Sequence, residues 1–152
     1  ETEYLFVECN ESARPYGVPK HRHLSEIEEQ LSLAAKTPVT IQFTPHLIPL
    51  NRGILTTIYL EPKEKLSDEK IAACYENFYG DEPFVRLLGG KNFPDTKNVQ
   101  GTNVIEIAWR IDLRTNRLVV MSAEDNLTKG ASGQAVQSLN ILCGWPETAG
   151  LI

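Results

Sequence analysis

The segment NVIEIAWRIDLRTNRLVVMSA, residues 103–123, carries the clearest secondary-structure signal in the chain. Its two apolar runs, Asn103–Ile111 and Leu118–Ala123, are rich in β-branched and aromatic residues, which favour strands. Between them, Asp112–Arg117 contains turn residues at Thr115-Asn116. The segment therefore predicts two antiparallel strands joined by a hairpin turn.

Outward from this hairpin, four more apolar or alternating runs predict strands: Tyr4–Val7, Val39–Phe43, Ile54–Leu60 and Phe84–Leu88. Three helices are also predicted. The first covers residues 25–35, because Ser25 and Glu28 have the spacing of a capping box.

The second predicted helix begins at Ser67-Asp68-Glu69 and ends at Gly80, and its buried face holds Ile71, Tyr75 and Phe78. The third runs from Leu127 to about Leu142, with one apolar face formed by Ala135, Leu139 and Leu142. The order β-α-β-β-α-β-β-β-α favours an α+β fold, a mostly antiparallel or mixed sheet with helices packed on one face.

The chain has 152 residues, a length that suits one domain, and no internal repeat or second domain boundary is visible. Its net charge is −5, which argues against partners such as nucleic acid or anionic membranes. No apolar run approaches the roughly 20 residues that span a bilayer. An odd number of cysteines, three, argues against a disulfide framework, so we expect a cytoplasmic protein. The first residues, Glu1-Thr2-Glu3, are polar and show neither a basic nor an apolar region, so we expect no signal peptide.

Lys20-His21-Arg22-His23 lies in a predicted loop just before the first helix, with Glu26 three residues after His23. Imidazole titrates near neutral pH, so the cluster suits general acid/base catalysis. His23 and Glu26 are about one helical turn apart, where a carboxylate can orient an imidazole. The residues alone leave two alternatives open: a solvated polar loop, and a metal site completed by Glu26 or His46.

Two further segments combine polar side chains with turn residues. In Thr44–Gly53, prolines stiffen the chain and Arg52 suits a carboxylate or phosphate, whereas the alternative is a bulge at a sheet rim. Asp125–Ala135 opens the third helix with small residues whose free N–H groups favour anionic or polar ligands, unless its glycines serve close helix packing. The three cysteines are predicted to be inert packing residues: Cys9, Cys74 and Cys143.

Three stretches are informative together: YGVPKHRHLSEI (16–27), FTPHLIPLNRGI (43–54) and DNLTKGASGQAVQ (125–137). They resemble the C-terminal, substrate and dimerisation part of the N-acetyl-gamma-glutamyl-phosphate reductase family, in the aspartate-semialdehyde dehydrogenase-like group. ETAGL (147–151) looks like the family's ending. The resemblance covers essentially the whole chain in order, and all three histidines lie within it.

The resemblance implies a reductase of arginine biosynthesis that acts on N-acetyl-glutamyl phosphate. A cysteine thiolate attacks the acyl phosphate, phosphate leaves, and NADPH reduces the thioester. By resemblance, His23 is the acid/base residue and Glu26 orients an imidazole or the substrate. Residues expected to line the substrate pocket are Tyr16, His21, Arg22, His46 and Arg52. Residues expected to contact NADP are Asn126, Lys129 and Gly130.

The chain departs from the family pattern in lacking both the Pro-Gly-Cys-Tyr-type motif of the nucleophile and the glycine-rich dinucleotide fingerprint. Ser25 also stands where the family usually has proline. We therefore expect residues 1–152 to be one domain of a two-domain enzyme, inactive alone, whose NADP is bound mostly by the absent domain. In isolation its last helix is expected to expose an apolar face, and we expect homo-oligomers.

Two alternatives remain from the sequence. One is a related semialdehyde dehydrogenase acting on aspartyl phosphate or a similar acyl phosphate. The other is a non-catalytic dimerisation or regulatory module that kept the fold and lost the chemistry.

Overall fold

The structure, a computed structural model, describes residues 5–152 and divides into two compact units. The first unit ends at Asn51, and the second covers Arg52–Ile152. The sequence showed no internal boundary at this position.

Over its described residues, 5–51, the first unit is mostly loop, with two helices and two very short strands: α1 (Phe6–Cys9), β1 (Arg14–Pro15), α2 (Leu24–Ala35) and β2 (His46–Leu47). β1 and β2 pair antiparallel, with Pro15 opposite His46. Helix α2 confirms the helix predicted for residues 25–35. It ends where Lys36 adopts a left-handed conformation with φ of 54°.

The strand predicted at Val39–Phe43 is wrong, although its alternation of half-buried and exposed residues is present. The backbone N–H of Val39 donates to Ser32 Oγ at 2.9 Å, and that of Ile41 donates to Glu28 Oε1 at 3.0 Å. This segment therefore satisfies its backbone on side chains of α2 rather than on a neighbouring strand.

The same contact explains why the predicted capping box is wrong. Glu28 is used by Ile41, and His23, not Ser25, precedes the first turn of α2. The strand predicted at Tyr4–Val7 is also wrong over its described part, because Phe6–Cys9 forms helix α1; Tyr4 lies outside the described residues.

The second unit is built on a four-stranded sheet of order β3-β6-β5-β4, with these bounds: β3 (Ile54–Leu60), β4 (Val85–Gly89), β5 (Ile105–Asp112) and β6 (Arg117–Glu124). β5 and β6 form the predicted hairpin, and β3 pairs antiparallel with β6. Only β4 and β5 run parallel. In the hairpin turn, Asn116 has a φ of 52°, which asparagine tolerates better than most residues.

Helix α3 (Asp68–Tyr79) covers one face of this sheet and forms the core. Its Ile71 packs with Trp109, Leu118 and Val120, and Tyr75 stacks on Trp109 with ring centroids 4.8 Å apart. The Ser67 hydroxyl caps the helix as predicted, accepting from the Lys70 N–H. The prediction that Phe78 is buried is wrong, because its side chain is mostly exposed.

A short helix that the sequence did not predict, α4 (Thr96–Val99), follows the loop after β4. Asp95, which caps it, donates its backbone N–H to Glu106 Oε2 at 3.2 Å. Glu106 is buried and also accepts from Arg86 Nη1 at 2.9 Å. A carboxylate on the face of β5 opposite Trp109 is thus satisfied by a neighbouring strand and a helix cap.

The last helix combines a π-helical turn (Thr128–Ser132) with α5 (Gly133–Cys143). Its predicted extent is nearly right. The polar face is buried, at Gln137 and Asn140. The apolar face is exposed, as expected for the chain by itself, and Leu142 is 84% exposed.

Strand β3 also exposes apolar side chains, and it does so on both of its faces. Leu55 and Tyr59 are exposed on one face, Ile54 and Ile58 on the other. The cysteines of α3 and α5, Cys74 and Cys143, are exposed, so the prediction that they are packing residues is wrong. No helix among residues 5–152 is long and apolar enough to cross a bilayer.

Candidate functional site

The first unit brings together an aromatic group of three predicted site residues and one other ring: Tyr16, His21, His23 and Phe43. We call this group the histidine cluster. The His21 ring lies 5.3 Å from Tyr16, 4.9 Å from His23 and 5.4 Å from Phe43, each in an edge-to-face arrangement. Such packing holds the central imidazole on three sides.

Two backbone features place these rings. The Tyr16 N–H donates to the Pro45 carbonyl at 3.0 Å, which extends the β1–β2 pairing to the start of the loop. Gly17 then adopts a left-handed φ of 63°, and a Cβ there would lie only 2.7 Å from His21 Cδ2. Only glycine permits both the turn and the close approach of the imidazole.

Hydrogen bonds define which imidazole nitrogens carry protons. The His23 backbone N–H donates to His21 Nδ1 at 3.2 Å, so a neutral His21 carries its proton on Nε2. His46 has the reverse arrangement: its Nδ1 lies 3.1 Å from the Thr44 carbonyl, leaving Nε2 as the acceptor. The cluster therefore contains one imidazole donor of fixed tautomer beside a second, exposed imidazole.

The remaining predicted residues of the first unit are exposed. The side chains of Arg22 and Glu26 form no hydrogen bond or ion pair within the described part of the chain, and Glu26 does not bond His23. Across residues 5–152, no three His, Cys, Asp or Glu side chains are grouped so that they could hold a metal ion. The guanidinium of Arg22 and the carboxylate of Glu26 are therefore available to a ligand.

In the second unit, the buried Asp125 organises the segment predicted to contact NADP. Its Oδ1 accepts from the N–H groups of Leu127 and Thr128 at 2.8 and 3.0 Å. Its Oδ2 accepts from the Gly101 N–H at 2.7 Å and from Arg52 Nη1 at 3.1 Å. The carboxylate is fully buried and uses both oxygens twice.

Burial alone raises the pKa of Asp125, but its four donors stabilise the charged form more strongly. The net effect holds the pKa of this carboxyl well below its usual range. Two predictions change as a result. The N–H groups at the start of the last helix are not free, because Asp125 accepts from them, and Arg52 makes an internal ion pair that leaves it partly exposed.

Asn126 is likewise engaged, since its Oδ1 accepts from the Gly53 N–H at 2.7 Å. Lys129 is different. Its Nζ donates to Gln137 Oε1 at 2.8 Å, and none of the ion pairs among the described residues includes it. Burial lowers the pKa of Lys129, and the carboxylates of Glu124, Glu147 and Glu82 oppose that shift.

Sequence reasoning missed four residues that build this second site, Asp125, Asn103, Gln137 and Asn140, and it also missed the buried Glu106 of β5. Asp125 carried a usable signal, because an Asp directly after a strand and before small polar residues is typical of a side chain that caps backbone N–H groups. Glu106 was concealed in an apolar strand. Nothing in its own segment indicated that Arg86 would reach it.

Comparison with known proteins gives this fold a family. The chain matches the semialdehyde dehydrogenase dimerisation domain over residues 1–126. It superposes on an aspartate semialdehyde dehydrogenase from Francisella tularensis with a TM-score of 0.70, at 19% identity, over 89% of this chain and 40% of the other. The chain therefore belongs to the semialdehyde dehydrogenase dimerisation-domain family, and the α+β fold predicted from the sequence is confirmed.

Within that class, the similar curated relatives have a more particular name. The chain is 58% identical over 147 residues to the N-acetyl-gamma-glutamyl-phosphate reductase of Akkermansia muciniphila. It is 54% identical over 147 residues to the reductase of the same name from Moorella thermoacetica. In both comparisons 97% of this chain is aligned, but it spans only 42% of the relative's length.

Proposed function

We propose that the chain is the substrate-binding and dimerisation part of a cytoplasmic, NADP-dependent N-acetyl-gamma-glutamyl-phosphate reductase of arginine biosynthesis. The supporting observation is the 58% identity across 97% of the chain to a relative of that name. The nucleophilic thiol and most of the NADP site are contributed by the rest of the parent protein. NADPH supplies the hydride.

In this proposal the histidine cluster serves the acyl phosphate. His23 is the acid/base residue: it accepts the thiol proton before attack on the acyl carbon and later gives a proton to the oxygen of the reduced thioester. Its exposed ring, beside the ordered imidazole of His21, supports this role. His21 presents its Nε2–H as a donor to the substrate.

The other polar residues bind the substrate's charges. Arg22 and Arg52 suit carboxylate and phosphate groups, and Glu26 orients an imidazole or the substrate. Tyr16 and His46 line the pocket. For the cofactor, we assign Asn126, Lys129 and Gly130, and the ammonium of Lys129, which has no contact ion pair among the described residues, fits an anionic group of NADP.

The exposed apolar surfaces support the partners of this assignment. We propose that β3, whose side chains are exposed on both faces, pairs two copies of the protein. We propose that the apolar face of α5 packs on the NADP-binding domain of the same parent chain.

The test uses the full-length parent protein with N-acetyl-glutamyl phosphate or aspartyl phosphate, following NADPH oxidation. We expect turnover with the N-acetylated substrate. H23Q should lower kcat by about 10²- to 10⁴-fold, the usual contribution of a general acid or base, while KM changes little. E29Q, on an exposed position of α2, is the control. Preference for aspartyl phosphate indicates the related dehydrogenase, and no turnover with either substrate contradicts the proposal.

A further inference from the structure

The buried polar face of α5 includes one side-chain amide, that of Gln137, which hydrogen-bonds three other side chains. Gln137 Oε1 accepts from Lys129 Nζ at 2.8 Å and from Asn103 Nδ2 at 3.0 Å. Gln137 Nε2 donates to Glu147 Oε1 at 2.6 Å. Because two donors meet the oxygen and a carboxylate meets the nitrogen, the orientation of this amide is determined by its surroundings.

The partners of Gln137 are themselves held in place. Asn140 Nδ2 donates to the carbonyls of Glu147 and Ala149, both at 3.0 Å, which fastens the C-terminal segment against α5. Asn103 is 3% exposed, and its Oδ1 is a buried atom without a hydrogen-bond partner. A Cβ on Gly133 would lie 2.2 Å from that atom, so α5 approaches as closely as it does only with glycine there.

The result is an ammonium held by a neutral acceptor. Lys129 donates one of its three N–H groups to Gln137, and no contact ion pair in the described chain neutralises its charge. The charged groups facing it come from three places: Glu124 ends β6, Glu147 follows α5 and Glu82 precedes β4. The Phe84 ring lies 5.8 Å from its Nζ. Two N–H bonds remain for an anionic ligand.

We propose that Gln137, oriented by Asn103 and Glu147, is a positioning residue that aims the Lys129 ammonium at a phosphate group of NADP. The inference rests on the proposed function, which assigns Lys129 to the cofactor. It adds the residue that fixes the position of the Lys129 ammonium. A lysine side chain is flexible, so fixing its end before the cofactor arrives lowers the entropy lost on binding. Gln137 itself does not touch the cofactor.

The experiment uses the full-length parent protein and two readouts. The first is the rate at which an amine-acylating reagent labels Lys129, measured by peptide mass spectrometry with and without saturating NADPH. The second is the separate determination of kcat and of KM for NADPH. The variant is Q137M, which removes both functions of the amide. Q134M is the control, because Gln134 is an exposed glutamine on the same helix.

We expect NADPH to slow labelling of Lys129 at least fivefold in the wild type and much less in Q137M. KM for NADPH should rise about tenfold in Q137M, the effect of losing one well-placed charge-assisted hydrogen bond, with kcat within twofold. Q134M should match the wild type. If Q137M does not fold, N103A removes the neutral donor that orients Gln137 Oε1 and is expected to raise KM in the same direction.

The inference is overturned if NADPH does not protect Lys129, if Q137M leaves KM unchanged, or if Q134M raises KM equally. Failure of the proposed function looks different: the wild-type protein then shows no acyl-phosphate-dependent turnover, while protection of Lys129 by NADPH still reports on the positioned ammonium.

Discussion

Replacing Asp125 with asparagine is expected to destabilise the second unit by about 2 kcal/mol. The carboxylate accepts four hydrogen bonds, two on each oxygen, and is fully buried. In D125N one oxygen becomes an NH₂ group, so two donors face a donor whichever way the amide is turned. A hydrogen bond to a charged acceptor is worth about 1.5–3 kcal/mol. When the NH₂ group replaces Oδ2, the two donors left without an acceptor are Arg52 and the backbone N–H of Gly101. Arg52 is partly exposed and regains a hydrogen bond to water, so most of the lost stability comes from the Gly101 N–H.

The assay is urea unfolding of the 152-residue chain, followed by tryptophan fluorescence. Of the two tryptophans, Trp109 is buried in the same unit and Trp145 is mostly exposed. With a slope of about 2 kcal/mol/M, the midpoint should fall by about 1 M without a change in slope. The matched control is D112N, at a carboxylate in the exposed hairpin turn whose Oδ1 and Oδ2 accept from Arg114 and Thr115. Equal midpoint shifts in the two variants, or no shift in D125N, would refute the reasoning.

Three further outcomes follow from the structure. The folded-state pKa of Asp125 lies below its unfolded value, so its contribution to stability is present above about pH 4 and is lost as pH falls further; urea midpoints at pH 5 and pH 3 should therefore differ less in D125N than in the wild type. I71A, in the core, should cost about 2–5 kcal/mol by thermal unfolding, whereas L142Q, on the exposed face of α5, should stay within about 0.5 kcal/mol. Y59D on β3 places a charge on an exposed apolar surface and should weaken self-association in sedimentation experiments on the full-length protein. The unfolding temperature of the monomer should not fall, and unchanged association would contradict pairing through β3.

Local signals in the sequence predicted those elements whose partners are close in the chain or whose caps are self-contained. The β5–β6 hairpin follows from two apolar runs and a turn, and α3 follows from the Ser67 cap. Val39–Phe43 shows where this reasoning ends. Its alternation correctly predicted which side chains are half-buried, but alternation does not reveal whether a strand or a helix side chain will accept from the backbone.

The last helix illustrates a second limit. Its apolar stripe is real, but periodicity indicates only that some partner covers an apolar face, not that the partner lies in the same unit. Here the polar stripe is buried instead, because Gln137 accepts from Asn103, which is 34 residues earlier, and Asn140 donates to the segment that follows the helix. For the candidate site, the three motifs brought attention to the histidines and to Lys129. The buried Asp125, which orders the second site, depends on Gly101 and Arg52 from other segments.

In the four-stranded sheet, the first strand to be synthesised, β3, lies beside the last, β6. Among residues 5–152, β3 pairs with β6 alone, so within this part of the chain Ile54–Leu60 gains its strand partner when Arg117–Glu124 has been synthesised. During translation, the backbone N–H and C=O groups of this apolar, exposed strand therefore stay unpaired while α3, β4, α4 and β5 are synthesised. Such a strand is open to association with other nascent chains on the same message. A protein that pairs through β3 could meet its second copy while both are still attached to their ribosomes.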